Sequence, residues 1–138
     1  MQPTPVATDS TAIGQVLTKF IAGDPTLFSL IADDVDFRID HVNDDADTSW
    51  QHATSREQLM GVIVLLGEDI FPKGTKSLEL NCYELGGGWH LTRFHQAFFY
   101  GVRQCDVTSL TYILSHETDG RLDYFRETVT GIVNEPAA

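Results

Sequence analysis

The dipeptide Asp119-Gly120 constrains this chain more than any other feature. It divides the stretch 107–129, VTSLTYILSHETDGRLDYFRETV, into two runs rich in β-branched and aromatic residues. A two-residue type I′ turn needs positive φ at both central positions, and Asp-Gly tolerates that. With the turn fixed there, Thr118 faces Arg121, His116 faces Asp123, Leu114 faces Phe125 and Tyr112 faces Glu127. One face then carries Leu110, Tyr112, Leu114, Phe125 and Val129, with His116, Asp123 and Glu127 among them. The other carries Thr111, Ile113, Ser115, Glu117, Leu122, Tyr124, Arg126 and Thr128. The first face is the more apolar and is assigned to the core. A three-residue loop with Gly120 in a bulge is the alternative, and it sets Arg126 rather than Glu127 beside Tyr112.

Three helices are expected before this region. Over 11–22, Ile13, Val16, Leu17, Phe20 and Ile21 form one apolar stripe. Asp9 or Ser10 is expected to cap its start and Gly23 to end it. Asp24 then caps a short helix with Pro25 at its first position, where a missing N–H costs nothing. A strand over 35–41 alternates Val35, Phe37 and Ile39 with Asp36, Arg38 and Asp40. The acidic stretch 42–53, with Trp50, reads as a loop or short hairpin. A capping box, Thr54 with Glu57 or Ser55 with Gln58, opens a third helix over 55–67. That helix is apolar almost all round, so it is buried on more than one side or lines a cavity.

From residue 75 onward the pattern is all strand. Residues 76–84 alternate, Gly86-Gly87-Gly88 turns, and 89–101 reads WHLTRFHQAFFYG with bulky residues on both faces. No lysine follows the glycines, so they are not a phosphate loop. Helices followed by antiparallel strands give an α+β class, with helices packed on one face of a curved sheet. The 138 residues suit one domain, with an ordered core over about 10–132 and frayed tails.

Charge and cysteine usage narrow the partners. A formal net charge of −11 opposes phosphate backbones and anionic lipid surfaces, so nucleic acid and membrane are not expected. Cys82 and Cys105 make no CxxC pair, and the five histidines have no HxxH or HExxH spacing, so no metal site is expected. The start MQPTPVATDS has no basic region or apolar run, and a cytoplasmic location is expected by elimination.

The stretch AGDPTLFSLIADDVDF, 22–37, resembles the opening signature of the nuclear-transport-factor-2-like superfamily. Members of that superfamily include the SnoaL-like polyketide cyclases, ketosteroid isomerase, scytalone dehydratase and limonene epoxide hydrolase, and the chain is most similar to the SnoaL-like, polyketide cyclase and ketosteroid isomerase-like branch. TDGRLDYFRETV, 118–129, is similar to the closing hairpin of the same group. The resemblance implies a conical, curved antiparallel sheet wrapped around three helices of the N-terminal half, a cystatin-like α+β barrel. It also implies an apolar pocket, a small apolar ligand, no cofactor and a homodimer through the sheet's convex face. Activity of the cyclase, dehydratase or isomerase type would be acid–base chemistry. The alternative is a non-catalytic module using the same pocket for a ligand or the same sheet for a partner.

Residue by residue, the isomerase pattern sets Val16 at its helix-one tyrosine, Ile39 or Asp40 at its base and Tyr112 at its second acid. The dehydratase's histidine pair with an aspartate is imitated by His95, His116 and Asp40. The hydrolase's Asp–Arg–Asp set has no counterpart. On physical grounds Asp40, at a strand end by the expected pocket rim, is a candidate general base, or else an exposed residue opening an acidic loop. Tyr112 and Glu127 form an inward polar pair that orients a ligand or shares a proton, or else a satisfied internal hydrogen bond. His95 is a candidate acid/base, or else a core or interface histidine. His116 and Asp123 read as a cross-strand surface pair. Phe20, Leu59, Ile63, Leu110, Leu114 and Phe125 are the expected pocket lining.

Overall fold

The Asp119-Gly120 turn forms at its expected place, with φ of 54° and 77° and Thr118 opposite Arg121. The computed structural model describes residues 4–41 and 51–135, apart from the side chain of His41. The acidic stretch 42–50 with Trp50 lies outside the described residues.

In chain order the elements are β1 (Thr4–Val6), a 3-10 turn (Thr8–Ser10), α1 (Ala12–Ala22) and a 3-10 helix (Pro25–Leu30). Then come β2 (Ile31–His41), β3 (Gln51–Ala53), α2 (Arg56–Leu65) and a π-helical turn (Leu66–Ile70). Four long strands finish the chain: β4 (Thr75–Gly86), β5 (Trp89–Tyr100), β6 (Cys105–Thr118) and β7 (Arg121–Asn134). Among the described residues they form one sheet in the order β1-β4-β5-β6-β7-β2-β3.

Several sequence expectations need correction. The sheet is mixed, because β2 runs parallel to β7 while the other pairs are antiparallel. The helices between β1 and β2 carry the chain across the sheet, so β2 arrives beside β7 without a hairpin. Residues 4–6, expected to fray, pair with β4, Val6 lying opposite Cys82. Thr11, not Asp9 or Ser10, caps α1, its hydroxyl accepting from the Gly14 N–H at 2.9 Å. Gly23 ends α1 in the left-handed region at φ 70°. The Asp24 cap and Pro25 stand as expected. Ser55 caps α2 by accepting from the Gln58 N–H, and the Gln58 side chain accepts from the Thr54 N–H.

The largest correction concerns the closing hairpin. Pairing keeps the expected register only for Thr118–Arg121 and Glu117–Leu122, then shifts by one residue. Asp123 is the extra residue. It accepts from the Thr118 hydroxyl at 2.7 Å and is bonded to His116 Nδ1 at 2.7 Å, which clasps the bulge shut. Past the bulge, His116 faces Tyr124, Leu114 faces Arg126, Ile113 faces Glu127 and Tyr112 faces Thr128. Because side chains alternate, a one-residue slip reverses a strand's faces. On β6 the inward residues are therefore Val107, Ser109, Thr111, Ile113 and Ser115, all buried. Leu110, Tyr112 and Leu114 are on the outer face, against expectation. On β7 the expected parity holds past the bulge, so Phe125, Glu127 and Val129 point inward, while Leu122, expected on the other face, is buried as well.

The core fills the space between the sheet's concave face and the helices. Ile13, Val16 and Leu17 of α1 pack there with Val35, Phe37 and Ile39 of β2, Leu59 of α2, and Phe94 and Phe98 of β5. Phe37 stacks on Phe125, ring centroids 4.5 Å apart. α1 is fastened to the sheet at its first turn, where the Ala12 N–H donates to Glu117 Oε1 at 2.9 Å. No described helix is long and apolar enough to cross a membrane.

Candidate functional site

The core is not filled completely. Behind α1 and α2 lies a chamber in which the centre of a water molecule has about 60 Å³ to move, with walls from Val16, Leu17, Ile31, Phe37, Leu59, Leu66, Phe94, Leu122 and Phe125. A second chamber of about 40 Å³ adjoins it toward Ile70, Phe98, Tyr100, Ser109, Val129 and Ile132. Both share Ile39, Leu66, Phe71, Gln96 and Glu127. Gln96 and Glu127 are the polar side chains of the first chamber's wall. An apolar cavity with a few converging polar groups is the usual form of a small-molecule site.

Each polar group arrives there for a local reason. Gln96 belongs to the inward set of β5, with His90, Thr92, Phe94, Phe98 and Tyr100, the buried alternate residues of that strand. The Thr75 hydroxyl donates to its Oε1 at 2.7 Å. That orients the amide and leaves Nε2 without a protein acceptor among the described residues, as a donor for the cavity. Glu127 comes from β7, level with Ile39 on one side and Ile113 on the other. Neither neighbour provides a charge. Burial therefore pushes the Glu127 carboxyl up to about 7, while a hydrogen bond with the Thr111 hydroxyl pulls the other way. The Thr111 hydroxyl also donates to the Thr128 carbonyl at 3.0 Å. With its one proton on Thr128 the hydroxyl accepts from the neutral acid, and turning that proton to the carboxylate gives up the bond to Thr128.

The residues singled out from sequence separate into inward and outward sets. Phe20, Leu59, Ile63 and Phe125 line the first chamber with Glu127. Tyr112 is 37% exposed on the outer face, between buried Thr111 and Ile113. His95 is half-buried on that same face, opposite Leu110. Leu110 and Leu114 also lie there. Asp40 points to the opposite side of β2 from Ile39, with Oδ2 3.6 Å from the Arg126 guanidinium. The structure thus separates Asp40 and Tyr112 from Glu127 by the thickness of the sheet.

Gln96 was missed from sequence. Its signal was the two-faced pattern of 89–101, which left open the face that lines the cavity. A second internal polar group was missed too. His90 Nδ1 and Ser115 Oγ, on paired residues, are buried without a hydrogen-bond partner, and Glu117 Oε1 lies 3.7 Å from His90 Nδ1. They sit near the first turn of α1 and line neither chamber. Among the described residues, no cluster of His, Cys, Asp and Glu has the makings of a metal site.

No family profile and no curated protein matches this sequence. Solved structures do match it in shape. An NTF2-like protein from Burkholderia thailandensis aligns with a TM-score of 0.65 at 12% identity, over 94% of this chain and 92% of that one. A candidate polyketide cyclase from Pseudomonas putida gives 0.66 at 12% identity, over 85% and 90%. An LEH-like epoxide hydrolase from M. tuberculosis gives 0.60 at 15% identity, over 86% and 79%. At these identities the likeness is one of fold, and this chain has the NTF2-like, SnoaL-like α+β fold.

Proposed function

We propose that this NTF2-like chain binds a small apolar molecule in the paired chambers and moves a proton on it with Glu127. The observation that carries this reading is a carboxyl group inside an apolar cavity, its acidity shifted to about 7 by burial. A general acid or base works best when its pKa lies near the working pH. The neighbouring Gln96 Nε2 is suited to donate to an oxygen that gains charge during reaction. The chemistry that fits is proton abstraction beside a carbonyl. The Glu127 carboxylate takes the proton, the electron pair moves onto the carbonyl oxygen, and Gln96 stabilises the resulting enolate. In a β,γ-unsaturated ketone the Glu127 acid returns the proton to the γ carbon and the double bond moves into conjugation; in a β-hydroxy ketone the enolate expels the hydroxyl, which takes the Glu127 proton and leaves as water. The role earlier expected of Asp40 and Tyr112 passes to Glu127 and Gln96, because the former pair face outward.

Deuterium exchange tests this without knowledge of the natural substrate. The full chain is incubated with a short apolar ketone in D2O, and loss of the proton signals beside the carbonyl is followed by NMR. Exchange should accelerate as pH rises through 7. Glu127→Gln should slow it by about a hundredfold or more, the usual contribution of one general base. Equal exchange by both proteins would remove the proposal.

The outer face supports a proposal about assembly. Trp89 and Tyr112 are exposed there, beside half-buried Leu91, Phe99, Leu110 and Leu114. An apolar patch on one face of a sheet is the usual mark of a protein contact, and a two-fold pair covers it with a second copy of itself. We place the homodimer interface there, and His95 with it. Cys82 and Cys105 are both free thiols, which fits the cytoplasm as the proposed location.

A further inference from the structure

We infer that the ligand is an unbranched aliphatic carbonyl compound whose carbonyl sits at Gln96 and whose chain runs outward into a surface groove beside α2. This rests on the reading of the cavity given above and adds the ligand's shape and charge.

The inner chambers are narrow, leaving the centre of a water molecule about 40 Å³ to move in the second and about 60 Å³ in the first. On the other side of its wall lies a groove with about 510 Å³ of such space, between the end of α1, the 3-10 helix and α2. The two spaces share Phe20, Leu27, Ile63 and Phe71 as a common partition. Phe20 and Phe71 meet edge to face across it, centroids 5.5 Å apart. Rotamer changes at Phe20 and Phe71 would open that partition to a thin chain.

The chemistry of the groove decides what the outer part of the ligand is. Val64, 58% exposed, and Phe28 line it without cover. Asp24 and Thr75 are its polar side chains. The Asp24 carboxylate is already engaged by the Thr26 N–H and hydroxyl and by Lys19. The Thr75 hydroxyl is committed to Gln96. Nothing in the groove is left to recognise a second polar group, so the outer part is hydrocarbon. No Lys, Arg or His lines the groove or either chamber among the described residues. An anionic head would enter beside Glu127 without a counter-charge, so the head is uncharged.

The test is calorimetric titration of the full chain with 2-alkanones of increasing length, together with the alkanoates of the same length. Affinity for the ketones should rise about fourfold per added methylene until the groove is filled. The alkanoates should bind far more weakly. Val64→Glu changes an exposed position of the groove, so the fold is retained, and it should abolish the gain in affinity with length. Short ketones that bind and exchange deuterium, without a gain in affinity with length, would overturn the inference and leave the reading of Glu127 intact. Alkanoates binding as tightly as ketones would overturn the uncharged head. Absence of binding and exchange for every ketone would remove the reading of the cavity as well.

Discussion

Glu127 is the residue at which sequence and structure meet most closely. Its inward direction was legible, because the alternation of Phe125, Glu127 and Val129 on β7 outlives the bulge at Asp123. Its neighbour was not legible, since nothing in the sequence marks Asp123 as the extra residue. The clasp from His116 and Thr118 is tertiary chemistry, and one inserted residue exchanged Tyr112 for Thr111 and Ile113 on the inner face. The raised pKa of Glu127 has a thermodynamic consequence. With its folded pKa at about 7 and its ordinary value at 4.5, the folded chain holds the proton over a range where the unfolded chain has lost it. Stability should therefore fall as pH rises from about 4.5 to about 7 and level off above, the total being about 3 kcal/mol at most. Glu127→Gln should flatten this slope and raise the melting temperature at pH 8, which thermal unfolding across a pH series will show. His116 works in the same direction at its own site. Its bond to Asp123 raises its pKa, so its contribution is complete below the unfolded value and fades as pH rises through the folded one. Asp123→Asn should remove that part of the slope.

At the scale of elements, the π-helical turn Leu66–Ile70 shapes the site. It follows α2 directly and brings Leu66 and Phe71 to both chambers. The Gly101 N–H, past the end of β5, donates to the Ile70 carbonyl at 3.0 Å. A Cβ at Gly101 would overlap the Asp69 carbonyl oxygen, so backbone meets backbone there. Gly101→Ala should cost about 1–3 kcal/mol in chemical denaturation, the range for forced overpacking, and should weaken ketone binding by displacing Phe71. At the other end of the fold, Glu117→Ala removes the acceptor for the first turn of α1 and should cost about 1 kcal/mol. The helices were readable because their stripes and caps are local. The π-helical turn and the three-residue β1 were not, since both depend on what they pack against: Gly101 for one, β4 for the other.

For the whole molecule, one side of the sheet encloses the chambers and the other presents Trp89 and Tyr112. The α+β order was visible in the sequence, but α2 buries Leu59 and leaves Met60, Val64 and Leu65 exposed, against the burial on more than one side that its all-round apolar pattern suggested, and the parallel contact of β2 with β7 joins strands far apart in the chain and left no local mark. The outer face predicts a dimer in sedimentation at micromolar concentration, and Tyr112→Asp should shift it toward monomer without altering the chambers. The central claim, a proton-transferring carboxyl inside an apolar cavity, is tested most directly on that carboxyl. The side-chain carboxyl carbon of Glu127, labelled with ¹³C and assigned by its loss in Glu127→Gln, should titrate with a midpoint near 7. A midpoint at the ordinary value of 4.5 would mean that water reaches the group freely, and would contradict the account.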